Sequence, residues 1–135
     1  MSALELHAMH HVALSVRDLD ASAAWYERVF ALERQFDEEA DGRRAIVYRF
    51  AGGPLVLGLV EHDAGAAAGP FAPTVTGLDH VAFAVRTRAE LDAWIEHLDD
   101  LGVAHSGAIA VPPGAICNFA DPDGIALALF WEREA

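Results

Sequence analysis

Two histidines open the same heptapeptide twice: His11-Val-Ala-Leu-Ser-Val-Arg17 returns as His80-Val-Ala-Phe-Ala-Val-Arg86, an offset of 69. An imidazole at such a position can ligate a metal or move a proton near neutral pH. The rest of the chemical inventory is narrow. All nine bases are Arg, so the chain offers no Schiff-base lysine, no P-loop lysine and no lysine general base. Cys117 is the single cysteine, which excludes an intrachain disulfide and a cysteine zinc site. Against these nine bases stand 21 acids, for a net charge of −12 over 135 residues. That field repels polyanions, so nucleic acid and anionic membrane surfaces are not expected partners.

The histidine motifs belong to a longer repeat. The same offset carries Ala24-Trp25 to Ala93-Trp94, Glu27 to Glu96 and Leu32 to Leu101. It then slips to 70, matching Leu55-Val-Leu-Gly-Leu-Val60 with Ile125-Ala-Leu-Ala-Leu-Phe130. One register kept through strand, helix and strand marks an internal duplication. Each half reads as a strand (about 9–16 and 78–85), a helix (about 20–32 and 88–101) and three further strands. Those strands are expected near 34–39, 43–51 and 54–60, and near 103–109, 114–120 and 124–131. Apolar positions Ala24, Trp25, Val29 and Leu32, and Leu91, Trp94, Ile95 and Leu98, are expected to turn each helix onto the sheet. Thr87-Arg-Ala-Glu90 reads as a capping box, Leu101-Gly102 as a helix stop, and Asp41-Gly42 and Asp121-Pro-Asp-Gly124 as turns. The expected fold class is therefore α+β: two tandem βαβββ units, about 9–60 and 78–131, joined by an Ala/Gly/Pro linker at 61–77. Together they would make one domain over 1–135, a curved mixed sheet around a cleft with helices on the outer face. No segment has the length or apolarity of a membrane span, and the first residues lack a basic, then apolar, leader pattern. A cytoplasmic protein is expected.

Strand alternation sorts the opening strands into two faces. Val12, Leu14 and Val16, with Val81, Phe83 and Val85, should pack under the helices. His11, Ala13 and Ser15, with His80, Ala82 and Ala84, are left for the cleft, where small residues around a histidine leave room for a ligand. His7, His10, His62, His97 and His105 read as solvated or structural. Cys117 has the parity of a buried side chain.

These motifs resemble the glyoxalase / bleomycin-resistance / extradiol-dioxygenase proteins, the vicinal oxygen chelate superfamily. The likeness lies in His11 to Phe30, in Gly77-Leu-Asp-His-Val-Ala-Phe-Ala-Val85 and in the Asp121-Pro-Asp-Gly124 turn before a last apolar strand. It runs from about His10 to Trp131. For metal-dependent members the resemblance implies four ligands, of which His11 and His80 match. The other two are normally Glu; here those positions hold Gly58 and Ala128. Two neutral imidazoles make a weak divalent site, and the natural general base is missing too. Glu61 points to the opposite face from Gly58.

Counting back from the closing turns puts Tyr48 and Asn118 in the cleft, with Ile46 and Ile116 two residues further back. With Val56, Val60, Ala126 and Phe130, the expected pocket is apolar with four polar handles: His11, His80, Tyr48 and Asn118. It predicts a binder of a small, mainly apolar organic molecule, without a cofactor and without an intact catalytic divalent metal centre. The alternative is a metal-dependent lyase or dioxygenase using His11 and His80, with a third ligand from His7, His10, Glu61 or a partner chain. The resemblance also implies a homodimer.

Overall fold

The computed structural model describes residues 4–65 and 70–134. Residues 66–69, inside the expected linker 61–77, lie outside the described residues, as do 1–3 and 135. The chain forms two compact units, Met1–Ala67 and Ala68–Ala135. The first contains β1 (His11–Ser15), α1 (Leu19–Val29), β2 (Leu32–Ala40), β3 (Arg43–Phe50) and β4 (Val56–His62). The second repeats the order with β5 (Val81–Val85), α2 (Arg88–Asp100), β6 (Ile109–Val111), β7 (Gly114–Ala120) and β8 (Ala126–Glu132). This is the α+β, tandem βαβββ arrangement. Each unit has its own four-stranded mixed sheet, ordered β1-β4-β3-β2 and β5-β8-β7-β6.

In the first unit the helix side of the sheet forms the core. Leu14, Val16, Ile46, Tyr48, Leu57 and Leu59 are buried there against Leu19, Ser22, Ala23, Tyr26 and Val29 of α1. Tyr26, fully buried, takes the place expected for its neighbours: Ala24 is exposed and Trp25 half-buried. Asp18 caps α1 by accepting from the Ala21 amide at 3.1 Å. The helix ends at Val29, three residues early, because Phe30 is already extended and Leu32 begins β2.

In the second unit Leu91 and Leu98 of α2 are buried, as are Phe83, Cys117, Phe119, Leu127 and Leu129 of the sheet. Thr87 Oγ1 accepts from the Glu90 amide at 3.0 Å, and Glu90 Oε2 accepts from the Arg86 amide at 2.7 Å. At the other end Gly102 takes φ +71°, and the Gly102 and Val103 amides donate to the Asp99 and Leu98 carbonyls. This double bond closes the helix with a left-handed glycine. The strand expected at 103–109 is shorter than its pattern suggests. Gly107, at φ +71°, interrupts it, leaving an isolated bridge between His105 and Phe119 and a three-residue β6.

Candidate functional site

Residues opposite each other in a ladder share a side of the sheet, so the register defines the helix-free face of the first unit as a grid. One row runs His11, Val56, Arg49, Glu33; the next Ala13, Gly58, Val47, Phe36; the next Ser15, Val60, Ala45, Glu38; and the last His62, Arg43, Ala40. On β1, β4 and β3 the middle rows carry only small or aliphatic side chains apart from Ser15, with Phe36 and Glu38 at their β2 edge. Both end rows carry charged or imidazole side chains. A cavity of about 450 Å³ opens on this face, lined among others by His10, His11, Ala13, Val47, Arg49 and Gly58. Its size falls in the range of about 300–1,000 Å³ usual for small-molecule sites.

At one end the Nδ1 atoms of His10 and His11 are 2.9 Å apart, their rings edge-to-face at 5.1 Å. One nitrogen must donate and the other accept, which leaves His11 Nε2 available to a ligand. His10 precedes β1 and is not bound by strand parity, so it joins His11 on the cavity wall. Arg49 closes the same end, its Nη1 donating to the Pro54 carbonyl at 3.1 Å. At the far end Arg43 is paired with Glu38 at 2.8 Å, and Ser15 Oγ lies 3.3 Å from His62 Nε2. His62 is thus part of β4 and its hydrogen bonding, not of the linker.

Two residues expected in the cleft stand elsewhere. Tyr48 and Ile46 lie on the helix side, opposite Leu57 and Leu59, and are 0% and 5% exposed. The cause is a turn. The Phe50 amide donates to the Leu55 carbonyl around residues 51–54, whereas the Asp121 amide donates to Ile125 around residues 122–124. The extra residue shifts β3 by one relative to β7, and a one-residue shift sends every side chain to the other face. Val47 and Ala45 consequently occupy the places expected for Tyr48 and Ile46, and Arg49 joins them on the same face. The Tyr48 hydroxyl is buried near Arg34 and Glu27, and among the described residues no hydrogen bond of good geometry reaches it. Burial, then the Glu27 charge, pushes its ionisation up to about 12.

In the second unit the helix-free face carries Ala82, Ala128 and Asn118 in one row and Ala84, Phe130, Ile116 and Ile109 in the next. His80, just before β5, places Nδ1 2.7 Å from Asp79 Oδ1. Asn118 anchors its own strand: its amide donates to Ser106 Oγ at 2.9 Å and its carbonyl accepts from the Ser106 amide. Cys117 is buried on the helix side, and burial pushes its thiol ionisation up.

The donor chemistry does not fit a metal of the kind the resemblance implies. Gly58 and Ala128 bring no carboxylate, and the nearest acid along β4, Glu61, is committed elsewhere. Its Oε1 accepts from the Leu19 amide at 3.0 Å and its Oε2 from Arg44 at 3.4 Å, both on the helix side.

Residues 8–129 match the Glyoxalase/Bleomycin resistance protein/Dioxygenase superfamily model, and the chain belongs to that family. A solved glyoxylase/bleomycin resistance protein/dioxygenase domain from Frankia sp. EAN1pec is similar at 35% identity and TM-score 0.87, covering 96% of this chain and 100% of that one. The fold is shared with TnmS3, an antibiotic binding protein from Streptomyces sp. CB03234 (21% identity, TM-score 0.73, 97% and 100% covered). It is shared also with FosX, the fosfomycin resistance protein of Listeria monocytogenes (20% identity, TM-score 0.69, 96% of both). No curated protein matches the chain. Among the described residues no helix is long and apolar enough to cross a membrane.

Proposed function

We propose that this protein binds a small, mainly apolar organic molecule on the helix-free face of its first sheet, without a catalytic metal centre. The observation that carries the reading is the floor Ala13, Gly58, Val47, whose small side chains leave the 450 Å³ cavity above them open, with Phe36 at its edge and polar groups at both ends. Such a floor takes up apolar surface at roughly 25 cal/mol per Å², while His11 and Arg49 orient a ligand's polar group. The antibiotic binding and fosfomycin resistance proteins that share the fold support a small-molecule role.

The test is saturable binding of N-phenyl-1-naphthylamine, a neutral fluorophore that brightens in apolar sites. One site per chain is expected in the wild type. Gly58→Leu fills the middle of the floor and should abolish binding while leaving the unfolding transition in place. Equal binding by the wild type and folded Gly58→Leu would overturn the proposal.

A further inference from the structure

Most arginines of the first sheet are already neutralised. Arg34 pairs with Glu27, Arg43 with Glu38, and Arg44 with Glu61. Arg49 is different. Among the described residues it makes no ion pair, and its polar contact is the 3.1 Å bond from Nη1 to the Pro54 carbonyl. Glu33 stands opposite it in the ladder without pairing with it. In a chain with 21 acids for nine bases, a half-buried guanidinium that is not ion-paired among the described residues is a local exception to the negative field. The bond to Pro54 holds the planar fork in place and leaves its remaining N–H groups for two oxygens of a ligand.

Arg49 also lines the cavity, on the row that ends in His11. Two strand spacings separate those residues, roughly 10 Å. The acid at the opposite end of the cavity, Glu38, is matched by Arg43 at 2.8 Å and offers no free charge to a cation.

Resting on the cavity reading above, we infer that Arg49 is an anion anchor and that the ligand is an organic oxyanion. Its carboxylate, or a group of like chemistry, meets the Arg49 fork, and its apolar body lies along Val47, Gly58 and Ala13.

The test uses 2-naphthoate and its neutral isostere 2-naphthamide as displacers of N-phenyl-1-naphthylamine. In the wild type, 2-naphthoate should bind about tenfold tighter or more, the scale of one charge-assisted contact. Arg49→Gln should bring the two displacers within about twofold of each other, because it weakens 2-naphthoate far more than 2-naphthamide. Arg49→Lys, a second variant should Arg49→Gln fail to fold, keeps the charge, loses the fork and should show an intermediate preference. Glu33→Gln removes the competing acid and should tighten 2-naphthoate by about twofold. Equal affinities in the wild type, or a preference surviving in Arg49→Gln, would overturn the anchor while the cavity reading stands. Absence of fluorophore binding, or binding indifferent to Gly58→Leu, removes the cavity reading and the anchor with it.

Discussion

Glu61 Oε1 accepts a hydrogen bond from the Leu19 amide at 3.0 Å, tying β4 to the first turn of α1. A helix begins with amides that lack intrahelical acceptors, and its N-terminal end favours negative charge. Asp18 satisfies one of these amides from within the segment and Glu61 another from a distant strand. Arg44, 3.4 Å from Oε2, holds the carboxylate in place. Glu61→Ala should therefore lower unfolding stability by about 1–2 kcal/mol, and Glu61→Gln, which keeps an acceptor oxygen, by about half as much. Urea denaturation checks this; an unchanged midpoint for Glu61→Ala would contradict it. Fluorophore affinity should stay the same, since the carboxylate lies on the helix side.

Tyr48 presents the opposite situation, a buried hydroxyl that no hydrogen bond of good geometry satisfies among the described residues. Replacing it by Phe removes a desolvated polar atom and keeps the ring, so stability should hold or rise by up to about 1 kcal/mol. The lack of lysine makes a second readout clean, because the alkaline range contains few side chains besides two tyrosines and one cysteine. With its folded ionisation raised from 10 to about 12, Tyr48 keeps its proton in the native state where the unfolded chain has lost it. Native protein then binds more protons, so stability falls as pH rises from 10 towards 12. Denaturation across that range should show a shallower fall for Tyr48→Phe. Parallel wild-type and variant curves would contradict the assignment.

The tandem units, the turn glycines and the facing of His11 and Ala13 are legible in the sequence because each rests on a local period. The face of β3 is not, since it depends on counting a turn. Arg43, Ala45, Val47 and Arg49 alternate as plainly as Arg44, Ile46 and Tyr48 do. Only the additional residue within 51–54, relative to 122–124, decides which set meets the ligand side. Aligning the halves at Gly58 and Ala128 carries the register correctly through β4 and β8 and loses it at the turn. Asn118, Ile116 and Phe130, beside the shorter turn, share the helix-free face with Ala128. The place of His10 on the cavity wall is not legible for a related reason: parity governs residues inside a strand, and His10 precedes one.

Gly58 and Ala128 also bear on metal dependence. A divalent ion at a family-type site draws most of its affinity from anionic or multiple imidazole ligands, and these positions supply none. Treatment with EDTA should leave the dissociation constant for N-phenyl-1-naphthylamine unchanged. Elemental analysis of protein purified without chelator should find no near-stoichiometric iron, zinc, nickel or manganese. Such a metal, lost in both His11→Ala and His80→Ala, would restore the lyase or dioxygenase reading.

Two strand glycines have opposite reasons for being glycine. At Gly114 a Cβ would collide with the backbone carbonyl of Trp131, an atom fixed by the β7–β8 ladder. Gly114→Ala must break that ladder or shift the strand, at a cost of about 3 kcal/mol or more. At Gly58 the nearest atom to a new Cβ is the Ala13 Cβ at 3.4 Å, an ordinary contact, and the backbone does not take a positive φ. Gly58→Ala should then be neutral or stabilising by about 0.5–1 kcal/mol, since glycine weakens a strand interior. Space above Gly58, and not the fold, is what its missing side chain provides. Thermal unfolding of the two variants side by side checks the contrast: a large loss at Gly58 would make that glycine structural and withdraw the strongest support for a ligand above it.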